Sequence, residues 1–165
     1  MDAQELINML NQILDLGDSM DENGVMGVKA LTNGTHTTRE VTRLELGRFL
    51  LYIASGNGVL TDGEVSLINV AFGLEYSAYQ YRQLEAQTNY PDPSNSLSLM
   101  GFLSGDIVLS KHNGHRSTVM TDALIGLFES YGGLMVAFDD NPVSRARKLK
   151  YISEMKSYVS KNLKY

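Results

Sequence analysis

The chain has 165 residues, 43% of them hydrophobic and 20% charged, with 14 Lys+Arg against 19 Asp+Glu for a formal net charge of −5. That length supports one globular domain with its own core, and the acid surplus argues against a nucleic-acid binder, which neutralises phosphates with basic side chains. With no cysteine, the chain has no disulfide, thiolate zinc site, cysteine nucleophile or CxxC redox pair.

Asp2 and Glu5 stand where a secretory signal would carry basic residues, and no continuous apolar core follows them. The most apolar stretches, residues 49–54 (FLLYIA) and 134–138 (LMVAF), fall far short of a membrane span. The expectation is a cytoplasmic protein.

The periodicity predicts an all-α protein, a single-domain bundle of about seven helices. A first helix starts behind Asp2, carries Leu6, Leu10, Ile13 and Leu14 on one stripe, and is expected to end at Gly17. Residues 17–38 form a long connection, and the Asn33-Gly34 turn signal admits a small β-hairpin near residues 25–38. A second helix starts at Thr37 or Thr38 with Glu40 completing a capping box, and runs through Val41, Leu44 and Leu51 to about Ser55. Its last turns are apolar all round, which predicts a buried, central helix.

Thr61 and Glu64 form a second capping box ahead of a helix with Val65, Ile68 and Phe72 on its core face. Ser77 and Gln80 repeat the signal for a short helix carrying Tyr81 and Leu84. After Pro91 and Pro93, a fifth helix carries Leu99, Met100, Leu103 and Ile107, and a sixth covers residues 124–138. Ser144 is the expected cap of a last helix with Leu149, Ile152, Met155, Val159 and Leu163 on one side.

Two passages align without gaps. In each, a very apolar helix ends in Ala, a short polar loop and one apolar residue follow, and Thr61 or Ser144 opens the next helix. Ala54 and Ala137 set the offset at 83 residues. Two such helix-loop-helix units suggest a pseudo-symmetric bundle in which both central helices pack together.

The first passage resembles the signature of TerB-like domains, the helical family named for tellurite-resistance proteins and found in the N-terminal region of DjlA-type cochaperones. Gly58, Leu60 and Glu64 match its pattern, and Asn57 stands where the family most often has Asp. In the second copy Asp139 and Asp140 keep the acid, but Asn141-Pro142 replaces Gly, and Arg145 to Arg147 replaces the acidic helix start. The resemblance covers residues 43–163 as a core, with residues 1–42 as an N-terminal helix and variable loop. It implies a helical bundle, acidic loops that bind divalent cations, and a link to stress response or to membrane- or secretion-associated assemblies. It implies no catalytic activity.

Asn57, Asp62, Glu64, Asp139 and Asp140 are the oxygen donors a divalent cation would use. They equally suit turn and helix-start roles, with Asn57-Gly58 in left-handed backbone and the carboxylates near helix N-termini. Asp139 with Asp140 is also a pair that acid-base chemistry could use, although no His, Ser or Lys partner is visible nearby. His112 and His115 form an HxxH pair around Asn113-Gly114, which favours a solvated loop over zinc. Asp18, Asp21 and Glu22 fail as a calcium loop because Met20 occupies a ligand position.

Tyr76, Tyr79, Tyr81 and Tyr90 crowd the fourth helix, as either a partner surface or a cover for the bundle end. Residues 144–165 hold seven basic residues and one acid, so a basic last helix closes an acidic body. Arg147, Lys150 and Lys161 on it could meet that body, an acidic partner or an anionic membrane surface. The first expectation is a non-enzymatic module binding a partner protein and no cofactor. A cation-binding stress protein is the alternative, and a metal-independent acid-base enzyme comes third.

Overall fold

The computed structural model describes residues 2–55, 58–85, 91–138 and 140–164. Among them the chain is all-helical, as the periodicity predicts. In order, the helices are α1 (Ala3–Asn23), α2 (Gly27–Leu31), α3 (Thr38–Ala54), α4 (Asp62–Phe72), α5 (Ala78–Glu85), α6 (Leu97–Asn113), α7 (Val119–Phe138) and α8 (Pro142–Asn162), with a 3-10 turn at Pro93–Asn95 before α6.

The capping boxes form as their sequences specify. Thr37 Oγ1 accepts from Glu40 N–H at 3.1 Å while Glu40 accepts from Thr37 N–H at 2.7 Å. Thr61 with Glu64 and Ser77 with Gln80 repeat the reciprocal pair. Each satisfies N–H groups that a helix start otherwise leaves open.

The α3 and α7 helices form the centre. Phe49, Leu50, Leu51, Ile53 and Ala54 of α3 are buried, as the all-round apolar pattern requires. The Phe49 ring lies 5.2 Å from Phe128 of α7 and 4.5 Å from Tyr151 of α8. One core cluster takes in residues from Leu6 on α1 to Leu163 beyond α8. Helix α7, at 20 residues, is long and apolar enough to cross a membrane by length and composition. Here it packs against α1, α3, α4, α6 and α8.

The two helix-loop-helix units, α3–α4 and α7–α8, meet at one end of the bundle. Ser144 at the start of α8 donates to Ile53 O at 2.9 Å, and Arg147 donates to Tyr52 O at 2.8 Å, so α8 satisfies the end of α3. Reciprocally, Phe138 at the end of α7 packs over Gly63 at the start of α4, where a Cβ would stand 2.7 Å from the ring.

Several expectations are corrected. Helix α1 does not stop at Gly17 but runs to Asn23 and ends on left-handed Gly24. Gly17 is a contact residue: a Cβ there would lie 2.9 Å from Thr38 Cγ2, so the glycine lets α3 approach. No hairpin forms near residues 25–38. Asn33 and Gly34 do take positive φ, but they lead out of α2, whose Val28 and Lys29 carbonyls accept from Thr32 N–H and Gly34 N–H. The N-cap of α8 is Asn141, followed by Pro142, while Ser144 is buried against α3. Leu149 leaves the core face at 67% exposure, and buried Tyr151 takes part in it instead. Helix α7 begins at Val119, ahead of the expected start.

Candidate functional site

The residues singled out from sequence are mostly spent within the fold. Glu64 is buried and completes the Thr61 capping box. Asp62 is exposed in the first turn of α4, where a negative charge suits the helix dipole. Asp140 pairs with Arg145. Asn57, Asp139 and Tyr90 lie outside the described residues. Among the described residues no three His, Asp or Glu side chains gather as a metal site would need.

Asp21 accepts from Thr38 N–H at 2.8 Å, Thr38 Oγ1 at 2.6 Å and Lys29 N–H at 3.2 Å, tying α1 to α2 and α3. Asp18 takes both oxygens to Arg39, whose guanidinium holds its carboxyl below the ordinary value. His112 closes the last turn of α6 and His115 follows it, exposed, with Nδ1 3.2 Å from Asn113 O.

The basic helix is largely answered from within. Arg147 caps the end of α3 and stacks on Tyr52 at 4.8 Å. Lys150 approaches Glu154, and Lys156 approaches Glu129 at 3.0 Å. Lys161 is exposed beside a shallow polar hollow with Asp92 and Glu154. The tyrosines divide. Tyr79 is 71% exposed and Tyr76 is partly so, whereas Tyr81 is buried against Tyr76 and Phe72 and presents no surface. Its hydroxyl donates to Asn69 Oδ1, and burial pushes its pKa up to about 12.

What the residues do build is a cleft of about 660 Å³ between α3, the exit of α4 and the start of α6. Its apolar wall is Val41, Leu44, Phe72, Leu74 and Leu97. Leu44 is 42% and Leu74 37% exposed, so two large aliphatic side chains stand unburied at its mouth. Helix α3 places Glu40, Leu44 and Arg48 four residues apart, on one face.

The polar groups of this wall differ in how far they are engaged. Glu45 accepts from Ser98 N–H at 2.7 Å, satisfying the start of α6, and burial raises its carboxyl above the ordinary value despite those bonds. Glu40 is held by Thr37 N–H and lies 3.5 Å from His36 Nδ1. Arg43 donates one nitrogen to Val70 O at the end of α4, and burial lowers its pKa. Arg48 lines the cleft, exposed, and forms no hydrogen bond or ion pair among the described residues.

Sequence reading takes Leu44 only as one of the apolar residues the helix runs through and passes over Arg43 and Arg48. The available signal was the Glu40–Leu44–Arg48 stripe itself, an aliphatic residue set between charges on the outer face of a central helix. No family model, curated protein or solved structure matches the chain.

Proposed function

We propose that this protein is a non-enzymatic helical interaction module whose partner protein docks over the α3 cleft. The observation that carries the reading is the cleft's wall, where Leu44 and Leu74 remain exposed beside an unengaged guanidinium. Exposed aliphatic residues rimmed by polar groups are the usual anatomy of a protein contact. The TerB-like resemblance of residues 43–163 is consistent with a role in stress response or in a membrane- or secretion-associated assembly.

A photo-cross-linking amino acid placed at Leu74 in the full chain tests this in the cells that make the protein. A discrete adduct is expected, lost with Leu44→Asp and retained with Leu149→Asp, since Leu149 is an exposed leucine on a different helix. An adduct indifferent to Leu44→Asp, or one forming from position 149 and not from 74, overturns the reading.

A further inference from the structure

Resting on that reading, we propose that the segment seated in the α3 cleft is acidic: it presents an aliphatic side chain to Leu44 and Leu74 beside a carboxylate bound by Arg48, with Arg43 behind it. The cleft is formally balanced, with Arg43 and Arg48 against Glu40 and Glu45. Its hydrogen-bonding capacity is not. Both carboxylates already hold helix starts, Glu40 through Thr37 N–H and Glu45 through Ser98 N–H. A basic partner would have to compete with those bonds and would reopen the N-terminus of α3 or of α6.

Each carboxylate is already engaged, and among the described residues the one charged side chain of this wall with no bond at all is a donor. Among the described residues Arg48 has no hydrogen-bond or ion-pair partner, and Arg43 has committed only one nitrogen, to Val70 O. Leu44 and Arg48 sit one helical turn apart on α3, so a partner that covers the leucine also strips water from the guanidinium. An unpaired cation buried in an interface is costly, and a purely apolar partner would incur that cost. A carboxylate removes it and can take the planar fork in two parallel bonds. The mouth is open, with Leu44, Leu74 and Arg48 all exposed, which fits a segment of a protein laid across it better than an enclosed small molecule.

The test is an NMR titration of the full chain with three acetylated, amidated heptapeptides: Gly-Leu-Glu-Leu-Leu-Glu-Ser, and the same sequence with Gln or with Lys at both Glu positions. The Glu peptide is expected to shift the Leu44 and Leu74 methyl signals and the Arg48 Nε–H, and to bind at least about tenfold more tightly than either other peptide. Arg48→Ala should remove that preference, and Arg48→Glu should reverse it toward the Lys peptide.

Equal binding of all three at the cleft overturns the acidic occupant and leaves the docking surface standing. If no cleft signal moves with any peptide up to millimolar concentration, the acidic occupant also fails, and the cross-linking experiment decides the module reading separately. Arg48 is exposed and, among the described residues, has no hydrogen-bond or ion-pair partner, so its variants are expected to fold, and unchanged thermal unfolding in the same samples verifies that.

Discussion

The junction between α6 and α7 and the cleft on α3 both place charged side chains near a helix start, and their outcomes are opposite. At the junction, fully buried Asp106 reaches from α6 to the beginning of α7. It accepts from Met120 N–H at 2.9 Å, Thr121 N–H at 2.8 Å, Thr121 Oγ1 at 2.7 Å and Ser117 Oγ at 3.3 Å. Every direction around that carboxyl is answered by the chain itself. On the α3 cleft, Glu45 is answered in the same manner, but Arg48 one turn along is not. A charge that the fold has satisfied is part of the scaffold, while one left open beside exposed leucines is available to something else.

That contrast can be broken first at the junction. Asp106→Ala takes the shared acceptor from two N–H groups and two hydroxyls around the start of α7 and should cost about 3 kcal/mol in urea unfolding. Asp106→Asn keeps one acceptor oxygen and should cost less. A loss under about 0.5 kcal/mol for the alanine variant would show that the junction is not the anchor its geometry makes it.

Gly47→Ala probes the back of the cleft. A methyl there overlaps the Phe72 ring, which forms part of the cleft wall, so the ring or helix α4 must move. Overpacking of this kind costs about 1–3 kcal/mol. Adding Phe72→Leu should restore part of the loss, and a double-mutant cycle with no coupling would contradict the contact.

Much of this scaffold is legible in the sequence because its causes are local. Capping boxes at Thr37, Thr61 and Ser77 act over three residues, and the apolar run before Ser55 needs no partner to identify it as buried. The misreadings have non-local causes. Gly17 reads as a stop until Thr38 is found against it, and Ser144 reads as a cap until Ile53 O is found accepting its hydroxyl proton. Tyr81 reads equally as partner surface or as cover for the bundle end until Phe72 is found stacked on it. The cleft was the least legible part, since its walls come from three separate places in the chain. Only Leu44 hinted at it, by breaking a charged face.

Glu45 stands between the two extremes, satisfied by α6 yet lining the cleft, and pH separates those roles. Burial raises its pKa in the folded state, so the folded protein binds this proton more readily than the unfolded chain does. Its contribution to stability is therefore present at low pH and declines as pH rises from the ordinary carboxyl range through the raised folded value. Glu45→Gln removes that dependence while keeping an oxygen for Ser98 N–H. The variant should gain on the parent as pH rises from about 4 to about 7, by no more than about 1 kcal/mol. A constant difference across that range would place the Glu45 carboxyl in solvent.

The smallest effect on stability belongs to Arg48→Ala, and it is the sharpest test of the contrast. An exposed side chain with no internal partner contributes little to folding, so unfolding should shift by less than about 0.5 kcal/mol. If the guanidinium served the scaffold as Asp106 does, its loss would resemble that of Asp106→Ala. If it serves an incoming carboxylate, stability is kept while the preference for the Glu peptide disappears. Only a position the fold leaves unanswered can separate those two measurements, and among the charged residues of the cleft Arg48 is the one without an internal bond.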